Sequence, residues 1–115
     1  MQAPERIEGW HAHVYYDDAS RAEAERLRAA VEAGFTTRLG RWHDQPVGPH
    51  PTAMYQIAFE VPEFARLVPW LALNHGSLRV LIHPLTDDAV ADHSRFALWL
   101  GEPLSLKLDV LRRAS

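Results

Sequence analysis

Residues Glu8 to Tyr16 (EGWHAHVYY) alternate and are rich in aromatics, a pattern that predicts a strand. Side chains alternate across a strand, so Trp10, Ala12, Val14 and Tyr16 share one face and His11, His13 and Tyr15 the other. Asp17-Asp18 breaks it. Leu27, Ala30, Val31 and Gly34 then keep the spacing of a buried helix face and predict a helix over 19–33. Ser20 and Glu23 stand at capping-box spacing, and Gly34 is placed to end the helix in a left-handed conformation. Residues 35–43 read as a weaker strand with a bulge at Gly40. The stretch 44–51 (DQPVGPHP) reads as a stiffened loop. Ala53 to Val61 is a clear strand, with Tyr55, Ile57, Phe59 and Val61 on its apolar face and Met54, Gln56, Ala58 and Glu60 opposite. Phe64, Leu67, Val68 and Leu71 predict a second helix, opened by Pro62, kinked or restarted at Pro69 and ended at Gly76. Ser77 to Pro84 is a strand with Leu78, Val80 and Ile82 on one face and Arg79, Leu81 and His83 on the other. Residues 86–93 read as a polar loop or short turn. Residues 96–100 fit a fifth strand or a short helix, and 104–111 fit no single element.

The order strand, helix, strand, strand, helix, strand predicts an α+β, ferredoxin-like βαββαβ sandwich, an antiparallel sheet with two helices on one face. Its strand order is 4-1-3-2, so the first strand is central. A parallel α/β arrangement is the runner-up, disfavoured because no helix separates the second and third strands. With no repeat and no linker, the 115 residues read as a single domain, 1–115.

Composition removes several classes of function. There is no cysteine, which excludes disulfide frameworks, thiolate metal sites and cysteine nucleophiles. A formal net charge of −3 gives no footprint for nucleic acid. No apolar run approaches a bilayer span and the start does not resemble a signal peptide, so the expected setting is cytoplasmic with no membrane partner. There is no phosphate-binding glycine loop and no serine in a nucleophile elbow. What stands out is seven histidines in so short a chain.

Alternation and topology place three of them together. The helices cover the face bearing Trp10, Val14, Ile57, Phe59, Val80 and Ile82, which leaves His11, His13, Gln56, Glu60, Arg79 and His83 on the other face. The fourth strand runs antiparallel to the first, so His83 falls near His11. A His-x-His on a strand sets two imidazoles on one side, roughly 7 Å apart at the backbone. With His83 this makes three nitrogen ligands, His11, His13 and His83, suited to Fe, Zn, Ni or Cu and not to Ca or Mg. Glu60 and Glu8 are candidates for a fourth, carboxylate ligand. The alternative is a set of half-exposed strand histidines packing a dimer interface.

His50 sits between Pro49 and Pro51, a rigid mount for a catalytic or orienting group. It is expected to point to the same face, and as a surface residue to tolerate alanine within about 0.5 kcal/mol. Trp42 reads either as packing or as an open-face aromatic on which a ligand stacks. His43 and His75 stand at element ends and carry no expected role; His75 beside a helix C-terminus suits the helix dipole.

Four separated motifs, GWHAHVYY (9–16), GPHP (48–51), PWLALNHGSLRVLIHPLT (69–86) and DHSRFALWLGEPLSL (92–106), resemble the small DOPA 4,5-dioxygenase family over almost the whole chain and in family order. The resemblance implies a ferredoxin-like fold and extradiol cleavage of a catechol such as DOPA, with O₂ as co-substrate. It implies that His11, His13, His50, His83 and His93 form one site. The implied cofactor is Fe(II), or Zn or Ni as bound in vitro, on His11, His13 and His83. Such iron sites commonly use two histidines and a carboxylate, whereas the matched residues here are all histidines. His50 or His93 is then the catalytic group that takes the catechol proton. Arg79 would pair with a substrate carboxylate, and Gln56 joins it as a candidate substrate-binding residue. Expected partners are a small aromatic substrate, O₂ and, because a bare sheet face needs covering, a second copy in a homodimer. The competing reading is a non-catalytic, dimeric protein that encloses a small ligand on that face.

Overall fold

A computed structural model describes residues 1–113. Five strands, β1 (Trp10–Tyr15), β2 (Arg38–Leu39), β3 (Met54–Phe59), β4 (Arg79–Pro84) and β5 (Leu98–Leu100), form one antiparallel sheet. Its order is β2-β3-β1-β4-β5. The first four strands stand in the ferredoxin-like order that the element order predicts, and β5 is added beside β4. The helices are α1 (Arg21–Gly34), α2 (Phe64–Asn74), α3 (Ala89–Asp92) and α4 (Leu108–Arg113). Both long helices pack on one sheet face. Ala24, Leu27 and Val31 of α1 and Leu67 and Leu71 of α2 bury against Ala12, Val14, Tyr55, Ile57, Phe59, Val80 and Ile82.

Local details differ from the pattern reading, each for an identifiable reason. The capping box does not form. The Ser20 hydroxyl is taken by Asp17, and Glu23 instead accepts hydrogen bonds from the Ser77 backbone and hydroxyl at 2.9 and 2.8 Å. Glu23 thereby ties α1 to the turn that ends α2, where Gly76 adopts φ +58°. Gly34 closes α1 without a left-handed residue. Helix α2 runs on as one helix across Pro69, preceded by a 3₁₀ turn at Val61–Glu63.

The second strand is short, and its extra residue lies after Gly40. Arg38 pairs with Ala58, Leu39 with Ile57, and the Gly40 amide donates to the Gln56 carbonyl, but His43 pairs with Met54. The pairing slips by one residue between Gly40 and His43. A one-residue slip turns a side chain to the other face, and Trp42 accordingly packs on Tyr55 and Tyr16 on the helix side, with Arg21 and Arg28 over its ring. Trp42 is therefore a packing residue and does not line the histidine face.

The face expected to lie bare is half covered by the chain itself. Ala97, Trp99, Leu104 and Leu106 pack over Tyr15, Met54 and Leu81. The sheet thus needs no second copy to shield that half. Residues 104–111 lead into α4 after this crossing, and the Lys107 amide bonds the Pro49 carbonyl at 2.8 Å.

Ile57 is fully buried at the centre of the helix-covered core. Ile57→Ala is expected to lower the unfolding free energy by about 2–5 kcal/mol, measured by urea denaturation. A loss under about 1 kcal/mol would contradict the packing described.

Candidate metal centre

The site begins with register. On the central strand, His11 stands directly opposite His83 of β4, and His13 stands between Leu81 of β4 and Gln56 of β3. One ligand nitrogen from each of His11, His13 and His83 lies within 4.8 Å of the other two. The Nε2 atoms of His13 and His83 are 3.0 Å apart. The His83 Nδ1–H donates to the Pro84 carbonyl at 2.9 Å. A carbonyl only accepts, so the neutral ring presents a bare Nε2 to its neighbours.

Two further histidines arrive from loops. The GPHP turn closes with the His50 amide bonded to the Val47 carbonyl and Gly48 at φ +54°. It lays the His50 ring on His13, with centroids 4.2 Å apart. The Tyr15 hydroxyl meets His50 Nδ1 at 2.7 Å. His93 is delivered by α3. Asp88 caps that short helix through the Ala91 amide, and the buried Asp92 carboxylate accepts from the Thr86 amide and hydroxyl at 2.9 and 2.6 Å. The His93 Nδ1–H then donates to the Ala89 carbonyl at 2.8 Å, and its ring lies 4.0 Å from that of His83. His93 is 6.3 Å from both His13 and His50 between centroids. The structure therefore brings all five motif histidines into one cluster.

Burial dominates the electrostatics. Desolvation holds His83 near a pKa of about 3 and His50 near about 4, with neighbouring imidazoles adding to the effect. The same cause lowers His13 well below its ordinary value, and lowers half-buried His11, where His93 and Arg38 contribute. Tyr15 is pushed up by burial and stays a neutral phenol. At neutral pH His11, His13, His50 and His83 are thus uncharged nitrogen donors, the form that binds a transition metal.

The donors suit such an ion. Imidazole nitrogens favour Zn, Cu, Fe and Ni. Two nitrogens 3.0 Å apart have the separation of neighbouring ligands on one ion with bonds of about 2.1 Å. His13 Nδ1 is buried with no hydrogen-bond partner. It is the ring nitrogen turned away from the one that faces His83.

Other candidates stand elsewhere. Gln56 is half-buried beside His13, across the strand pair. Arg79 is at the opposite end of β4 from His83, level with Tyr15, and pairs with Glu102 at 3.5 Å. The structure does not bring it to the cluster. Glu60 pairs with exposed Arg38, Glu8 is exposed, and no carboxylate joins the three-histidine group among the described residues. His75 bonds the Leu78 carbonyl, and His43 stands on the β3 edge. Motif reading missed Tyr15, Thr86 and Asp92 as supports. Alternation already put Tyr15 on the histidine face; the Thr86–Asp92 bond has no periodic signal.

An α+β sandwich with a histidine cluster on its sheet defines the class. The chain matches the model of the Dopa 4,5-dioxygenase family over residues 10–110 and belongs to that family. It is 35% identical over 111 residues to a protein of Amanita muscaria named DOPA 4,5-dioxygenase, covering 89% of this chain and 49% of that protein. It is 34% identical over 116 residues to an uncharacterized 21.2 kDa protein of Botryotinia fuckeliana, covering 88% of this chain and 62% of that one. The chain thus spans about half to three-fifths of these fungal relatives. A crystal structure from Nostoc punctiforme PCC 73102, described as that of "a putative dioxygenase", matches with a TM-score of 0.99 at 50% identity over the full length of both chains.

His50 is buried at 5% exposure, which corrects the surface-residue expectation. His50→Ala leaves the Tyr15 hydroxyl unpaired and is expected to cost about 1–3 kcal/mol in urea denaturation. A cost within about 0.5 kcal/mol would restore the surface reading. Stability of the metal-free protein should also depend on pH. Between the unfolded value of about 6.5 and the folded values of about 3 and about 4, only the unfolded chain binds these protons. The stabilisation is complete above about pH 6.5 and falls on acidification, by roughly 1 kcal/mol per pH unit per histidine. Unfolding free energies equal at pH 7 and pH 5 would contradict the neutral cluster.

Proposed function

We propose that this protein is an extradiol ring-cleaving dioxygenase acting on a catechol such as DOPA, with Fe(II) held by His11, His13 and His83. The observation that carries the reading is the convergence of five histidines, three of them with ligand nitrogens within 4.8 Å, in a chain of this family. The iron, when bound, supplies a Lewis acid for the catechol oxygens and an electron path between the ring and O₂.

The chain's own groups divide the remaining work. His93 has its Nδ1 proton committed to the Ala89 carbonyl, so Nε2 carries a lone pair and takes the catechol proton. His50, held by Tyr15, orients the substrate oxygen. Gln56, next to His13, offers an amide to the ring substituents. Arg79 is left out of the substrate contacts because it stands at the far end of its strand. Both atoms of O₂ enter the product and one carbon–carbon bond beside the diol breaks, so no external reductant is needed. The substrate partners are a small aromatic diol and O₂.

Fe(II)-loaded protein is expected to consume O₂ with DOPA in equal amounts and release a yellow product opened beside the diol. His11→Ala and His83→Ala are each expected to lower iron affinity by about 10-fold or more and abolish turnover, followed with an oxygen electrode and metal analysis. Protein that retains iron yet leaves a panel of catechols untouched would sink the proposal and favour a ligand-binding protein without catalysis.

A further inference from the structure

We propose that Tyr15 is a positioning residue that fixes His50 as the hydrogen-bond donor of the histidine cluster, with the opposite polarity to His83 and His93. The inference rests on the dioxygenase reading only for the identity of what His50 donates to.

The argument is a count of protons and lone pairs. His83 and His93 each turn Nδ1 to a backbone carbonyl, at 2.9 and 2.8 Å. Carbonyls accept only, so in the neutral form each of these rings carries hydrogen on Nδ1 and a lone pair on Nε2. His50 faces a hydroxyl instead, at 2.7 Å. A hydroxyl can donate or accept, and its surroundings decide which. Tyr15 is 3% exposed, and among the described residues its hydroxyl meets His50 alone. If Tyr15 accepted from His50, its own hydrogen would be buried without an acceptor, at the full desolvation cost of that group. If it donates, both groups are satisfied. Donation leaves His50 Nδ1 as the acceptor and puts the hydrogen of the neutral ring on Nε2.

A neutral imidazole with hydrogen on Nε2 is neither a metal ligand nor a base at that atom. It can donate to an anionic oxygen, and in the proposed reaction that acceptor is the deprotonated oxygen of the catechol. His50 and His93 then have complementary tasks, one giving a hydrogen bond and the other taking a proton. The phenol ring is fixed independently of its hydroxyl. It stacks on Trp99 with centroids 5.9 Å apart and packs with Met54 and Leu81. Tyr15→Phe therefore removes one hydrogen bond and leaves the packing in place.

The test is long-range ¹H–¹⁵N NMR of metal-free protein labelled at histidine nitrogen, with His50 signals assigned through His50→Gln. The expected wild-type pattern is a protonated Nε2 and a bare Nδ1 for His50, and the reverse for His83 and His93. In Tyr15→Phe the His50 pattern should move to a mixture of tautomers. Hydrogen on Nδ1 of wild-type His50, or a Tyr15→Phe spectrum with His50 unchanged, would overturn the proposal. Should Tyr15→Phe not fold, the wild-type spectrum alone decides the tautomer. In Fe(II)-loaded protein, Tyr15→Phe is expected to reduce kcat about 10-fold or more with KM for DOPA and iron stoichiometry retained; an unchanged kcat would overturn the positioning role. A wild-type protein that turns over no catechol removes the dioxygenase reading while leaving the NMR result to decide the tautomer.

Discussion

The antiparallel pairing of β1 with β4 is the constraint on which the site depends. It sets His11 directly opposite His83 and carries His13 two residues along on the same face. Strand pairing fixes backbones within a fraction of an ångström, and sites built on strands inherit that precision. A slip of one residue would turn His83 into the helix-packed core and destroy both core and cluster. The apolar face enforces the register, since Val14 pairs with Val80 and Ala12 with Ile82 in the same ladder. Packing on one side of the sheet thus positions the polar groups on the other.

Around that pair the protein assembles nitrogen donors whose protons are assigned by their outer partners. Pro84, Ala89 and Tyr15 each meet an Nδ1 atom, and two carbonyls and one hydroxyl produce two kinds of ring. Burial, helped by neighbouring imidazoles, removes positive charge from His50 and His83. At His50 and His83, held neutral by burial, the polarity of each hydrogen bond decides what the free nitrogen can do.

Much of this was readable in the chain. The alternation of Trp10–Tyr15 and Arg79–Pro84 separated core from site residues, because period-two patterning is imposed by burial of one face. The strand order followed from element order alone. The failures cluster where pattern carries no long-range information. Trp42 was ambiguous because a one-residue slip after Gly40 inverts its face, and such slips leave no periodic trace. His50 looked exposed because its loop is rich in turn residues, yet Tyr15 and Lys107, distant in sequence, draw it in. The C-terminal cover was half legible: residues 96–100 fit a fifth strand or a short helix, because Leu98–Leu100 is too short for alternation to decide, and 104–111 fit no single element.

The pairing of β1 with β4 also has a temporal meaning. Its partners are separated by some seventy positions, so closing that contact is a slow, non-local event compared with forming α1 or α2. When synthesis proceeds from the amino terminus, His11 and His13 emerge long before His83. No three-nitrogen cradle exists at that stage, and a passing ion finds only a loose pair of rings. Capture of an ion by these rings would therefore follow topology formation and would reward completed molecules, since anything that binds only the native state shifts the balance towards it. Until β4 arrives, β1 presents an unpaired edge rich in aromatic side chains, the segment of the nascent chain most exposed to wrong pairing.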